Sequence, residues 1–177
     1  ILNRNRLLNK RAVETIAYFQ NHGFDCCILK GQGIATLYPN PLLRTSGDID
    51  VWLNGGRERI YNFTRNSGKL EGLTYIHIHY PLYEDVEVEA HVTPRYLFAL
   101  IENLRLQRYF DKCSKEQFDH HVELPENMGI INAPTDEFNR LYILLHIYGH
   151  LFGEGIGLRQ VKKKKKKKKK PVTEESK

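Results

Sequence analysis

Two aspartates two residues apart, Asp48 and Asp50, lie in the run Arg44-Thr45-Ser46-Gly47-Asp48-Ile49-Asp50-Val51-Trp52. On a strand this spacing turns both carboxylates to one face and sends Ile49 and Val51 to the other. Two carboxylates held side by side repel unless a positive charge lies between them. A hard divalent cation is the natural partner, because Mg²⁺ prefers oxygen ligands and commonly uses one or two carboxylates plus substrate phosphates. A bare Asp-x-Asp is more often a polar strand face paired with lysine or arginine, so the neighbouring residues decide between the two readings.

Three neighbouring features favour the cation. Gly31 and Gly33 directly follow a short apolar run, where glycine lets backbone N–H groups come close to a phosphate. Lys30 and Arg44 add positive charge beside that turn. In Val86-Glu87-Val88-Glu89-Ala90-His91 the alternation puts Glu87, Glu89 and His91 on one strand face. Set beside the aspartate strand, that face would bring in a third carboxylate, either Glu87 or Glu89. Together these are the parts for metal-assisted phosphoryl chemistry.

The other histidines are weaker candidates. His146 and His150 share a helix face, but no Glu stands beside them as in H-E-x-x-H and no third ligand is evident, so a buried hydrogen-bonded pair among aromatic neighbours, or a nucleotide-facing lining, is the better reading. His77 and His79 alternate on a strand and His120 and His121 point to opposite sides, so neither pair is expected to converge on a metal. Glu154-Gly155-Ile156-Gly157 reads as a loop, with Arg159 in reach of a triphosphate. Trp52, the single tryptophan, is expected in the core or at the rim of the site.

Elements able to position these residues are legible from periodicity. Leu8, Ala12, Ile16 and Phe19 predict a helix over residues 7–21, stopped by Asn21-His22-Gly23. Residues 25–29 predict a short buried strand, followed by the Gly31-Gln32-Gly33 turn and a helical turn or two over 34–37. A second strand is expected over 48–53, a helix over 57–66, and an antiparallel hairpin of 75–80 with 86–92. A helix over 94–109, a short strand over 120–124 and an amphipathic helix from Thr135 complete the order. The expectation is an α+β fold: a small mixed sheet flanked by helices, with those helices on one side, followed by a C-terminal helical unit. The expected divisions are a core over 1–125, a helical unit over 126–161 and a lysine-rich disordered tail over 162–177.

Composition limits the alternatives. The chain has 177 residues, 41% hydrophobic and 11% aromatic, enough for a real core. Its net charge of +6 comes from the tail, which holds ten lysines against two glutamates; the rest is slightly acidic. Nucleic acid is therefore suggested only weakly, by the Lys162–Lys170 run. Three sparse cysteines, Cys26, Cys27 and Cys113, read as reduced thiols, and with no apolar run of ~18 residues and no signal-peptide core at Ile1-Leu2-Asn3-Arg4 the expected location is cytoplasmic, without a membrane partner.

Leu29-Lys30-Gly31, Tyr38-Pro39-Asn40-Pro41 and Arg44-Thr45-Ser46-Gly47-Asp48-Ile49-Asp50 resemble the bacterial uncharacterised nucleotidyltransferase family of the DNA-polymerase-β-like superfamily. Glu89-Ala90-His91 is similar to that family's Glu-x-His strand, and His146–His150 and Gly155–Gln160 to its later helical motifs. The resemblance implies a transferase moving a nucleoside monophosphate from an NTP to a hydroxyl of an acceptor it does not identify, whether small molecule, protein or RNA. By the same resemblance Asp48, Asp50 and Glu89 bind two Mg²⁺ ions, with Mn²⁺ the alternative, and Glu89 helps deprotonate the acceptor. Lys30, Gly31, Gly33, Arg44 and Ser46 would face the NTP phosphates. The turn Lys30-Gly31-Gln32-Gly33 departs from the Gly-Ser or Gly-Gly usual there, and the lysine run replaces the helix that normally follows. A non-catalytic nucleotide- or partner-binding domain of the same fold is the competing reading.

Overall fold

The computed structural model describes residues 1–44 and 47–153, with side chains described as far as Gly149. Thr45, Ser46, the Glu154–Gly157 segment, Arg159 and the lysine run lie outside the described residues. The chain divides into a unit Ile1–Arg140 and a second unit that begins at Leu141, inside the last helix.

The first unit is built on a five-stranded mixed sheet. Its strands are β1 (Cys26–Ile28), β2 (Ile49–Leu53), β3 (Gly72–Leu73), β4 (His77–His79) and β5 (Val88–His91). Their order is β1-β2-β5-β4-β3. β2 and β5 run parallel, while β1 against β2, β4 against β5 and β3 against β4 are antiparallel. The helices are α1 (Leu2–Asn21), α2 (Lys30–Ala35), α3 (Gly56–Asn66), α4 (Leu100–Asp119) and α5 (Asp136–Gly153). A separate ribbon pairs β6 (His121–Glu123) with β7 (Ile130–Asn132). The α+β architecture expected from the periodicity is the one the structure has.

The sheet's two faces divide the chemistry. Ile49, Val51 and Leu53 of β2 join Leu8, Ala12, Ile16 and Phe19 of α1 and Ile60 of α3 in the main core. Helical spacing gives α1 that apolar stripe, and strand alternation gives β2 the matching one. Asp50 and Trp52 belong to the opposite face. That face is not bare, as helices confined to one side would leave it. Phe110 and Phe118 of α4 and Phe138 of α5 close around Trp52, with ring centroids 6.1, 4.8 and 5.7 Å away. Trp52 is thus a core residue of a second aromatic cluster.

Several boundaries differ from the periodicity. α4 starts at Leu100 rather than Pro94 and continues to Asp119. The amide of Leu97 donates to Asn103 Oδ1 (3.0 Å), and Gln107 Nε2 donates to the Arg95 carbonyl (2.9 Å). These side chains hold the preceding segment in a non-helical path. Helicity also begins at Lys30 rather than after Gly33, with Gly31 as a non-helical kink at φ +50°. Cys26 and Cys27 are buried and all three cysteines are free.

Gly33 is buried where a side chain has no room. A Cβ there would lie 2.4 Å from the Ile28 carbonyl oxygen and 3.3 Å from Ala133 Cβ. Gly33→Ala is expected to cost about 1–3 kcal/mol by overpacking, read as a lower urea midpoint at unchanged slope; an unchanged midpoint would show that α2 moves away freely.

Candidate active site

Asp48, Asp50 and Glu89 meet where β2 and β5 run side by side. The parallel register sets Asp50 opposite Glu89. Asp48 stands just before β2, and one carboxylate oxygen from each of the three lies within 4.8 Å of the others. Glu87, the rival for the third place, is exposed and hydrogen-bonded with His79 at 3.1 Å instead. Strand alternation alone could not separate the two glutamates; the interstrand register does.

Two positive or proton-bearing groups reach Asp50. Lys30 Nζ lies 2.9 Å and His91 Nε2 2.8 Å from the same oxygen, Oδ1. Lys30 is placed there by the end of β1, where the Leu29 amide donates to the Asp50 carbonyl (2.8 Å). Asp50 is 2% exposed. Burial pushes its carboxyl upward, but the hydrogen bond from His91 and the nearby charges of His91 and Lys30 outweigh burial and hold it well below the usual range. Asp48 goes the other way: burial and the neighbouring Asp50 charge raise it, against the pull of Lys30.

Glu89 sits between imidazoles. Its Oε2 is 3.3 Å from His77 Nδ1 and 3.5 Å from His91 Nε2. Burial raises its carboxyl, and the His91 hydrogen bond and His77 more than compensate, so the net shift is downward. His91 is held above its ordinary value although burial opposes this, because Asp50 and Glu89 both favour the protonated ring. His77 is pushed down, first by burial and then by the charge of His91. The spacing of His77 and His79 gives no expectation of a metal site, yet the fold brings His77 into a group of possible ligands. The β4–β5 register sets His77 opposite His91, and His77, Glu89 and His91 form a second group with ligand atoms within 4.8 Å. That pairing is a property of the sheet and is invisible in the spacing of His77 and His79.

The phosphate-side candidates lie at the start of α2. Arg44 Nη1 donates to the Gly31 carbonyl (3.2 Å), and a Cβ on Gly31 would stand 3.5 Å from the Asp48 carbonyl oxygen. Gly31 thus brings the turn against the aspartate segment at a positive φ that favours glycine. Gly33 is enclosed by β1 and Ala133. Ser46 lies outside the described residues. In the second unit the His146 ring lies tilted against Tyr142, with centroids 6.1 Å apart; the side chain of His150 is not among those described.

Two positioning residues carry no signal in the sequence pattern. Asn5 Nδ2 donates to the carbonyls of Leu42 (2.6 Å) and Arg44 (2.5 Å). Arg4 donates from Nη2 to the Gly47 carbonyl (3.0 Å) and from Nη1 to the Asp85 carbonyl (2.6 Å). The first turn of α1 therefore holds the loop that delivers Asp48.

No curated protein and no solved structure matches the chain. One family model does, over residues 1–162, and it spans the strands, the turn and all three carboxylates described above. On that match, which covers most of its length, the chain belongs to the uncharacterised nucleotidyltransferase family.

Proposed function

We propose that this protein transfers a nucleoside monophosphate from an NTP to an acceptor hydroxyl, using Mg²⁺ held by Asp48, Asp50 and Glu89. The observation that carries this reading is the placing of Asp50 opposite Glu89 on parallel strands with Asp48 in reach of both. Family membership supports nucleotidyl transfer in general; the metal, the acceptor chemistry and the residue roles are the proposal.

The residues fit a hard divalent cation. Three carboxylates offer oxygen ligands, and both contacts to Asp50 fall on Oδ1, so among the described residues no donor engages Oδ2. Bound there, the cations would stabilise the attacking and leaving oxygens of an in-line displacement. Asp48 and Asp50 would hold them. Glu89, kept ionised by His91 and His77, would be the third ligand and accept the hydrogen bond of the acceptor hydroxyl. Lys30 offsets negative charge at Asp50, and Arg44 places a guanidinium over the Gly31 turn where triphosphate oxygens would lie.

The test is incorporation of label from each of the four NTPs, with Mg²⁺ and a cell extract as acceptor source. The wild-type chain should transfer label and Asp48→Asn should not, at unchanged circular dichroism. Equal labelling by both would refute the metal role of Asp48. Tight NTP binding with no transfer to any acceptor would favour the non-catalytic reading instead.

A further inference from the structure

We propose that His77, Glu89 and His91 form a second cation site, selective for a borderline transition metal of the Zn²⁺ class, beside the all-carboxylate group of Asp48, Asp50 and Glu89. The proposal goes beyond nucleotidyl transfer and does not depend on it, since its readout is metal binding.

The argument is one of spacing and donor type. His77 and His91 are directly opposed across antiparallel β4 and β5, and Glu89 lies two residues before His91 on the same face. Glu89 Oε2 is 3.3 Å from His77 Nδ1 and 3.5 Å from His91 Nε2. Charge-assisted contacts between such groups close to about 2.7–2.9 Å when they bond directly. Atoms coordinated tetrahedrally to one Zn²⁺ at about 2.0–2.1 Å stand about 3.3 Å apart. The two spacings match ligands around a common point better than a direct pair; His91 Nε2 also stands 2.8 Å from Asp50 Oδ1, and the ion would displace the proton held in that contact. One ligand atom from each of the three residues also lies within 4.8 Å of the other two.

Donor chemistry separates this group from its neighbour. Two imidazole nitrogens and one carboxylate oxygen suit Zn²⁺ and related first-row ions, whereas three carboxylates suit Mg²⁺. The neighbouring group of His79, Glu87 and Glu89 has one imidazole and an exposed Glu87, with His79 Nδ1 3.9 Å from Glu89 Oε1. It lacks the second nitrogen. His91 is 4% exposed and fixed in the sheet, while the His77 side chain is 20% exposed on β4. Three protein ligands leave room for a fourth from water or substrate, the open arrangement typical of non-structural zinc. Glu89 belongs to both groups, so an ion on the imidazole side would engage the carboxylate that the Mg²⁺ group also needs.

Equilibrium dialysis of the metal-stripped full chain against Zn²⁺ in a large excess of Mg²⁺ tests the site. The wild type should retain one Zn²⁺ per chain. Asp48→Asn should retain it as well. His77→Ala and His91→Ala should each weaken retention by at least about tenfold, the lower end of what even an outer-shell partner is worth. His77 is half-buried, so His77→Ala keeps the test decisive if the buried His91 variant fails to fold. With Co²⁺ in place of Zn²⁺, the wild-type visible absorption should be intense, as low-coordinate cobalt gives, and should collapse in His77→Ala. No retention in excess Mg²⁺, retention unaffected by His77→Ala, or equal loss in Asp48→Asn would each overturn the assignment.

Discussion

Asp50→Asn is expected to abolish Mg²⁺-dependent label transfer and to weaken the fold at the same time. Loss of a direct ligand should cost more than the 10–100-fold typical of an outer-shell partner, so activity should drop by at least about 100-fold. The fold suffers because Asp50 is the anion that two donors share. Removing one member of a buried pair typically costs about 3–5 kcal/mol, since a charge stays behind without its partner. Here Lys30 remains 22% exposed and can turn toward water, which reduces the expected loss to about 1–3 kcal/mol. Asp48→Asn should behave differently in stability and alike in activity. Its carboxyl is raised by burial and by Asp50, so neutralising it removes a repulsion and should leave the urea midpoint unchanged or higher. The pair of variants therefore separates ligand loss from structural damage. An Asp50→Asn protein with wild-type labelling, or one as stable as Asp48→Asn, would count against the arrangement described.

Trp52→Ala should be the most damaging single change to the core near the site, at about 3–5 kcal/mol. Trp52 is 5% exposed and is packed by Phe110, Phe118 and Phe138, the last stacked at an interplanar angle of 20°. Removing it would leave a cavity between α4, α5 and the sheet that three rings cannot all collapse into. Urea unfolding followed by far-UV circular dichroism measures the loss, with Trp52→Phe as a milder comparison that keeps a ring in place. A loss below about 1 kcal/mol would mean that the aromatic cluster repacks and contributes little.

The parts of the site that rest on local pattern are legible in the amino-acid sequence. Alternation in β2 predicts Asp50 facing away from Ile49 and Val51, and Ile49 and Val51 do enter the core with α1. Alternation in β5 narrows the third carboxylate to two residues. Choosing between them needs the parallel register that sets Glu89, not Glu87, against Asp50, and no periodicity encodes register between strands so far apart in sequence. The hairpin of β4 with β5 is legible, but its register, which sets His91 opposite His77, depends on the long connection between them and not on the spacing of His77 and His79. β3 and β7, at two and three residues, are too short for a period to emerge. Periodicity sets the start of α4 too early because Asn103 and Gln107 hydrogen-bond the residues ahead of it, a side-chain effect that outweighs helix propensity. The roles of Arg4 and Asn5 are equally hidden, since their partners are backbone carbonyls with no sequence signature.

Arg4 has a mechanical consequence. Because β2 and β5 run parallel, their entrances lie at the same end of the sheet, and one guanidinium can hold both Gly47 and Asp85. A yoke of this kind turns relative motion into common motion. If α1 shifts, this link should carry the two entrances with it, which would help hold the gap between the carboxylates of Asp48 and Asp50 and that of Glu89. An antiparallel pair, entering from opposite ends, could not be harnessed by a single side chain.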